Sequence, residues 1–238
     1  MYVTSKPTHR QLSNTHSLPN VHFLDYVVDE SSSERLLGVT INNDLSWNTQ
    51  VENVIKNVIH FCTYCLELKN VCLFKTEKSF TMITLFPIFN WCCVIWDTCT
   101  SVMEDKLVKL QKRAAKAILD VDCTVPSETM FTQLKWMTFP ERVVYHKAIQ
   151  MYKTVCGDAS DCLKNEFVFT SEIHSRLLRL SSNIQLYTPI PNTVLFRNSF
   201  IFSGTPIWNS IPEYIKTAPS VKHFKSLYLR WYKQSFES

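Results

Sequence analysis

Leu36-Leu37-Gly38-Val39-Thr40-Ile41-Asn42-Asn43-Asp44-Leu45-Ser46-Trp47 is the stretch on which the reading of this chain turns. It holds one of only three glycines in 238 residues. Upstream, Val21-His22-Phe23-Leu24-Asp25-Tyr26-Val27-Val28 has strand-forming residues in near alternation. Asp29 to Glu34 reads as a loop, and Arg35 to Ile41 as a second strand. Together they predict a β-hairpin with a loop of about six residues. Gly38 inside the second strand implies a bulge or a close backbone approach.

Downstream the period changes from two to 3.6. Asn48 or Thr49 is placed to cap a helix, and Val51, Val54, Ile55, Val58, Cys62, Cys65 and Leu66 fall on one face of it. That stripe makes Cys62 and Cys65 core residues rather than half of a zinc site, which needs four convergent ligands. A second helix is expected from Thr76 through Phe80, Ile83 and Leu85 to Pro87, and on through Trp91 to Trp96, followed by a polar break over 97–101. A third, Met103 to Leu119, turns Leu107, Leu110, Ala114, Ala117 and Ile118 to one side. Lys106, Lys109, Arg113 and Lys116 line its neighbouring face. They are either a solvated face or a row that tracks phosphates.

A short helical stretch near Ser127–Leu134 precedes Pro140, which opens a helix running from Glu141 to about Val155. Its inward face is expected to be Val144, Ala148, Met151 and Val155, with Gly157 ending it. Residues 158–219 hold Pro189, Pro191, Pro206, Pro212 and Pro219 and read as mostly irregular. Ser220 caps a last helix, with Val221, Phe224, Leu227, Tyr228 and Trp231 inward and Lys222, Lys225, Arg230 and Lys233 outward.

The composition, 45% hydrophobic and 19% charged, is that of a globular chain. The net charge is only +4, but it is unevenly placed: residues 171–238 carry eight Lys/Arg against three Asp/Glu. Nine cysteines cannot all pair within one chain, and the N-terminal residues lack an apolar signal segment. A nuclear or cytoplasmic protein with reduced thiols is expected, not a secreted one. The apolar run from Phe80 to Trp96 is short and interrupted by Pro87 and Asn90, so no membrane span is expected. There is no Asp-Asp pair, no glycine-rich phosphate loop and no nucleophile motif. No catalytic residue, cofactor or metal ligand is therefore assigned.

Several motifs, in one order, are similar to those of reverse transcriptases from LINE-type (non-LTR) retrotransposons. They are Leu37-Gly38-Val39 with Leu45 and Trp47, Leu110-Gln111-Lys112-Arg113-Ala114, Gly204 with Trp208-Asn209-Ser210-Ile211-Pro212, and Ser220-Val221 with Phe224-Lys225. The Pro87, Trp91, Trp96 segment matches loosely. Asn42 stands where the family often has Asp, Gln50 where it often has His, and Trp91 where it has Tyr. The resemblance implies that Leu37, Gly38 and Val39 belong to a primer-grip-like hairpin at the end of a palm. It implies that the helices after it form a thumb that holds the template–primer duplex. It also places the catalytic aspartates upstream of the hairpin, before Met1.

The expectation is thus a mainly α (α+β) chain: an N-terminal β-hairpin, a helical thumb-like bundle, and a loop-rich, helix-capped C-terminal region. The divisions are 1–48, 49–120 and 121–238. The expected function is that of a non-catalytic polymerase fragment that retains RNA or DNA binding through Lys106, Lys109, Arg113 and Lys116, and through Lys222, Lys225, Arg230 and Lys233. The alternative is a small helical protein-interaction module derived from a mobile element.

Overall fold

The computed structural model describes residues 21–24, 26–28, 31–71, 86–122, 124–173 and 184–234. Over these the chain is mostly helical, with short antiparallel hairpins at its N-terminal side. It divides into two compact units, Met1–Arg142 and Val143–Ser238.

The first unit begins with two tight hairpins where one open hairpin was expected. β1 (Val21–Phe23) pairs with β2 (Tyr26–Val28), and β3 (Ser33–Leu36) pairs with β4 (Val39–Asn42). Each expected long strand folds back on itself. In the second hairpin the reason is local: Leu37 and Gly38 both have positive φ, +49° and +84°. That is the requirement of a two-residue turn whose twist matches the strands. Gly38 is therefore a turn residue rather than a bulge, and Ser33 and Glu34 belong to a strand rather than a loop. The expected close approach is present: a Cβ on Gly38 would lie 3.3 Å from Nε1 of Trp91.

α1 (Asn48–Val71) buries Val51, Val54 and Val58, while Ile55 and Cys62 are half-buried. The Cys65 and Leu66 side chains lie outside the described residues, as do Thr76, Phe80, Ile83 and Leu85. Neither Asn48 nor Thr49 caps in the expected way, because the helix already includes them. Their neighbourhood is used to hold the hairpin instead. Gln50 Oε1 accepts the Thr40 N–H at 2.8 Å, Asn53 Nδ2 donates to Thr40 Oγ1 at 3.2 Å, and Asn42 Nδ2 donates to Thr49 Oγ1 at 3.0 Å.

The expected continuous helix through Trp91 is broken. Residues 86–90 are helical, Cys92 is left-handed at φ +52°, and α2 (Cys93–Trp96) starts afresh. The break is stabilised from inside: the buried Trp96 indole donates to the Trp91 carbonyl at 2.9 Å and stacks on Phe139 at 5.3 Å.

α3 (Ser101–Leu119) buries Leu107, Leu110, Gln111, Ala114 and Ala115. Ala117 and Ile118 are half-buried. α1 packs along α3, and so does α4 (Ser127–Leu134), which buries Met130, Phe131 and Leu134. The expected seams at 48/49 and 120/121 thus have elements on either side that pack together: β4 with α1, and α3 with α4.

α5 (Phe139–Cys156) opens with Thr138 and Glu141, whose carboxylate accepts the Thr138 N–H at 2.7 Å, half of a capping box. Gly157, at φ +91°, ends it, with the Asp158 N–H reaching the Lys153 carbonyl at 2.8 Å. Its inward residues in the second unit are Lys147, Ala148, Ile149, Met151, Tyr152 and Thr154. Val144 and Val155, expected on that face, are only half-buried.

The 158–219 stretch is more regular than its prolines suggest. It contains α6 (Asp161–Lys164), α7 (Thr170–Ile173), α8 (Val194–Arg197), α9 (Phe200–Ser210) and α10 (Glu213–Lys216). α9 forms around Pro206 because its start is fixed and its face is needed. Ser199 Oγ accepts the Phe202 N–H at 3.3 Å, and Gly204 lets the helix approach α5 so closely that a Cβ would sit 2.6 Å from Met151 Sδ. α11 (Val221–Gln234) closes this core, with Phe224 stacked on Tyr152 at 4.4 Å. Among the described residues no helix is long and apolar enough to cross a membrane.

Candidate nucleic-acid interface

The expected basic row of the first unit is a real surface feature. On α3, Lys106, Lys109 and Arg113 are exposed, while Lys116 is half-buried. The four recur at i, i+3, i+7 and i+10, so they lie within one side of the helix, away from the buried Leu107, Leu110 and Ala114. At about 1.5 Å rise per residue the row is roughly 15 Å long. Lys106, Lys109 and Arg113 form no ion pair among the described residues, so their charges are presented to solvent unneutralised. Asp105 flanks the row and is exposed as well.

The helix is oriented by its other face. Gln111 is 2% exposed, and its Nε2 donates to the Met137 carbonyl at 2.7 Å, while its Oε1 is buried without a partner. A buried amide at this point sets the rotation of α3 and so the direction of the lysines.

In the second unit, Lys222, Lys225, Arg230 and Lys233 are all exposed on α11. The helix contains no acidic residue. On its opposite side Phe224 and Tyr228 are buried, and the Tyr228 ring packs on Tyr145 of α5 and on Trp231 and Tyr232 of its own helix. Ser220 Oγ accepts the His223 N–H at 3.3 Å, which fixes the helix start as expected.

Leu37, Gly38 and Val39 occupy the β3–β4 turn. Val39 is buried, Leu37 is exposed, and the Leu37 carbonyl accepts the Trp91 indole N–H at 3.0 Å. No family model, curated protein or solved structure matches the chain.

The remaining quoted motifs resolve into packing roles. Trp208 is fully buried and donates its indole N–H to the Ile184 carbonyl at 2.9 Å. Asn209 Oδ1 accepts the Leu186 N–H at 3.0 Å and its Nδ2 donates to the Leu186 carbonyl at 2.8 Å. Leu186 already bridges Phe169 on its other side, so the Asn209 amide stands where a third strand would.

Two buried lysines escaped the sequence reading. Lys147 donates to Ser203 Oγ at 2.8 Å, and Lys216 lies 5.3 Å from the Trp208 ring centroid. Burial pushes the Lys216 ammonium below its usual range, against a smaller opposing pull from Glu213. Their neighbours in sequence are ordinary, so only the tertiary fold reveals them. Burial also raises the Cys93 thiol to about 12 and the Cys99 thiol to about 11, which disfavours the thiolate. Among the described residues no cluster of His, Cys, Asp and Glu could hold a metal ion.

Proposed function

We propose that this chain is the thumb and C-terminal part of a LINE-type reverse transcriptase that performs no polymerase chemistry itself and binds the RNA or DNA backbone. The observation that carries the proposal is on α3. The Leu110-Gln111 and Ala114 positions of the quoted motif are buried, and the same rotation leaves Lys106, Lys109 and Arg113 exposed and unpaired. A row of uncompensated cations on a rigid helix releases counterions when it meets phosphates. The α11 row, Lys222, Lys225, Arg230 and Lys233, has the same character. No exposed Phe, Tyr or Trp lies in either row to stack on bases, which favours backbone contact over sequence readout.

Binding of an RNA–DNA duplex, followed by anisotropy across a salt series, tests this. The slope of log K against log salt should lose about 0.9 for each phosphate contact removed. Simultaneous Lys106→Glu, Lys109→Glu and Arg113→Glu should abolish binding by the first unit's row. Unchanged binding, or none even at low salt, sinks the proposal.

A second reading, a small helical protein-interaction module, is favoured by the exposed Leu36, Leu37, Trp91 and Ile95. Retained partner capture by the triple charge-reversal variant would select it.

A further inference from the structure

The β3–β4 hairpin has two edges: the β4 edge is met by α1 and Gln50, and the β3 edge has no paired strand among the described residues. In the register Ser33↔Asn42, Glu34↔Ile41, Arg35↔Thr40, Leu36↔Val39, bonded and non-bonded pairs alternate. The Thr40 N–H turns away from β3 to Gln50 Oε1. Arg35, directly opposite, is therefore in a non-bonded pair, and its own N–H and C=O point away from β4. Ser33 has the same orientation, and its carbonyl accepts the Ser31 hydroxyl at 2.8 Å. The Ser33 N–H and both backbone groups of Arg35 have no partner among the described residues. Glu34, Arg35 and Leu36 are exposed along this edge.

We propose that the β3 edge, Ser33–Leu36, accepts one added strand from a peptide segment in extended conformation. The charges choose the occupant. Glu34 and Arg35 form no ion pair among the described residues. A second copy pairing antiparallel with Ser33 opposite Arg35, or Arg35 opposite Arg35, would set Glu34 or Arg35 against its counterpart, and like charges directly opposite are unfavourable. A different segment, with an acidic residue opposite Arg35, a basic one opposite Glu34 and an apolar one opposite Leu36, has no such conflict. The apolar position would lie beside Leu37, which is 81% exposed and held by the Trp91 indole. The backbone supplies affinity and the alternating side chains supply selectivity. The proposal is independent of the nucleic-acid reading, since it uses neither basic row.

The probe is the blocked peptide acetyl-Thr-Val-Glu-Lys-Thr-Thr-amide, titrated into the full chain while amide exchange is followed by NMR. Exchange at Arg35 and Ser33 should slow and saturate. The same peptide N-methylated at Glu loses the N–H that would meet the Arg35 carbonyl, and should bind about fivefold more weakly or not at all. Exchanging Glu and Lys in the peptide should cost about threefold or more. Arg35→Pro removes the outward N–H without touching a bond inside the hairpin, and should weaken binding similarly. Unchanged Arg35 and Ser33 exchange, or equal binding of the N-methylated peptide, overturns the proposal. So does concentration-dependent dimerisation of the chain alone that protects Arg35. The N-methylated peptide needs no protein variant, so misfolding cannot mimic its result.

Discussion

Two short ribbons in this protein meet the same difficulty and solve it to different depths. A two-stranded ribbon leaves backbone groups unpaired along its edges, and such ribbons are marginal alone. In the first unit Gln50 satisfies one of these groups, the Thr40 N–H. In the second unit Asn209 satisfies both the N–H and the C=O of Leu186. The Gln50 amide comes from the first turn of a helix and is buried, as is the Thr40 group it holds, whereas Asn209 is half-buried. The Asn209 amide is next to fully buried Trp208, with Ile211 and Ile215 beside it in the same core. The lesson is that a side-chain amide substitutes for a strand, and that its value depends on how many backbone groups it holds.

The sharpest way to break the comparison is to remove each amide. Asn209→Ala strands two buried backbone groups and should destabilise the second unit by about 3 kcal/mol in denaturant unfolding. Asn209→Asp should recover little of this, because it sets an oxygen against the Leu186 carbonyl. Gln50→Ala strands one group and should cost about 1–2 kcal/mol, read at the first unit. Equal losses would show that the number of groups held does not set the difference. Gly204→Ala probes the same core from another side: the added Cβ meets buried Met151, and a net loss of about 1–2 kcal/mol is expected even after the gain in helix propensity. Gly38→Ala should cost about 1 kcal/mol, since the new side chain must hold a left-handed φ beside Trp91.

Alkaline pH separates the units more gently. Burial raises the Tyr152 and Tyr228 phenols from 10.0 to about 12. Unfolded tyrosine releases its proton earlier, so the folded state binds more protons between these values. The contribution is complete below pH 10.0 and is lost as pH rises towards about 12. Tyr152 also donates to the Ala218 carbonyl, a bond that ionisation abolishes. Tyr228→Phe should flatten the pH dependence of the second unit's melting in that range. An unaltered profile would remove the tyrosines from the explanation.

Much of the helical architecture was legible because its residues repeat at 3.6. Leu107, Leu110 and Ala114 of α3, the Ser127–Leu134 helix, and Phe224 and Tyr228 of α11 fall where periodicity places them, while Ala117, Ile118, Val221, Leu227 and Trp231 are half-buried. The basic rows are legible for the same reason, since a helix that buries Leu107, Leu110 and Ala114 must turn Lys106, Lys109 and Arg113 outward. What periodicity misses is where the chain reverses. Leu37 is not a residue type that announces a left-handed turn, and Cys92 carries no breaking signal at all. Pro206 signals a break that does not occur, because Ser199 and Gly204 secure the helix around it. The buried lysines and both strand-mimicking amides depend on contacts distant in sequence, which no local pattern encodes.

The left-handed residues have a consequence in time rather than in energy. Leu24, Leu37, Leu45, Trp47, Cys92, Asp120 and Lys135 all have positive φ, and only two glycines share that region with them. Asp120 apart, none of these adopts such a conformation readily by itself, so those reversals are imposed by surrounding packing and form after it. Their contacts belong late on the folding path. Relieving one, as in Lys135→Gly, is then expected to slow unfolding while leaving the folding rate nearly unchanged, so that the corners of this chain govern how long it stays folded.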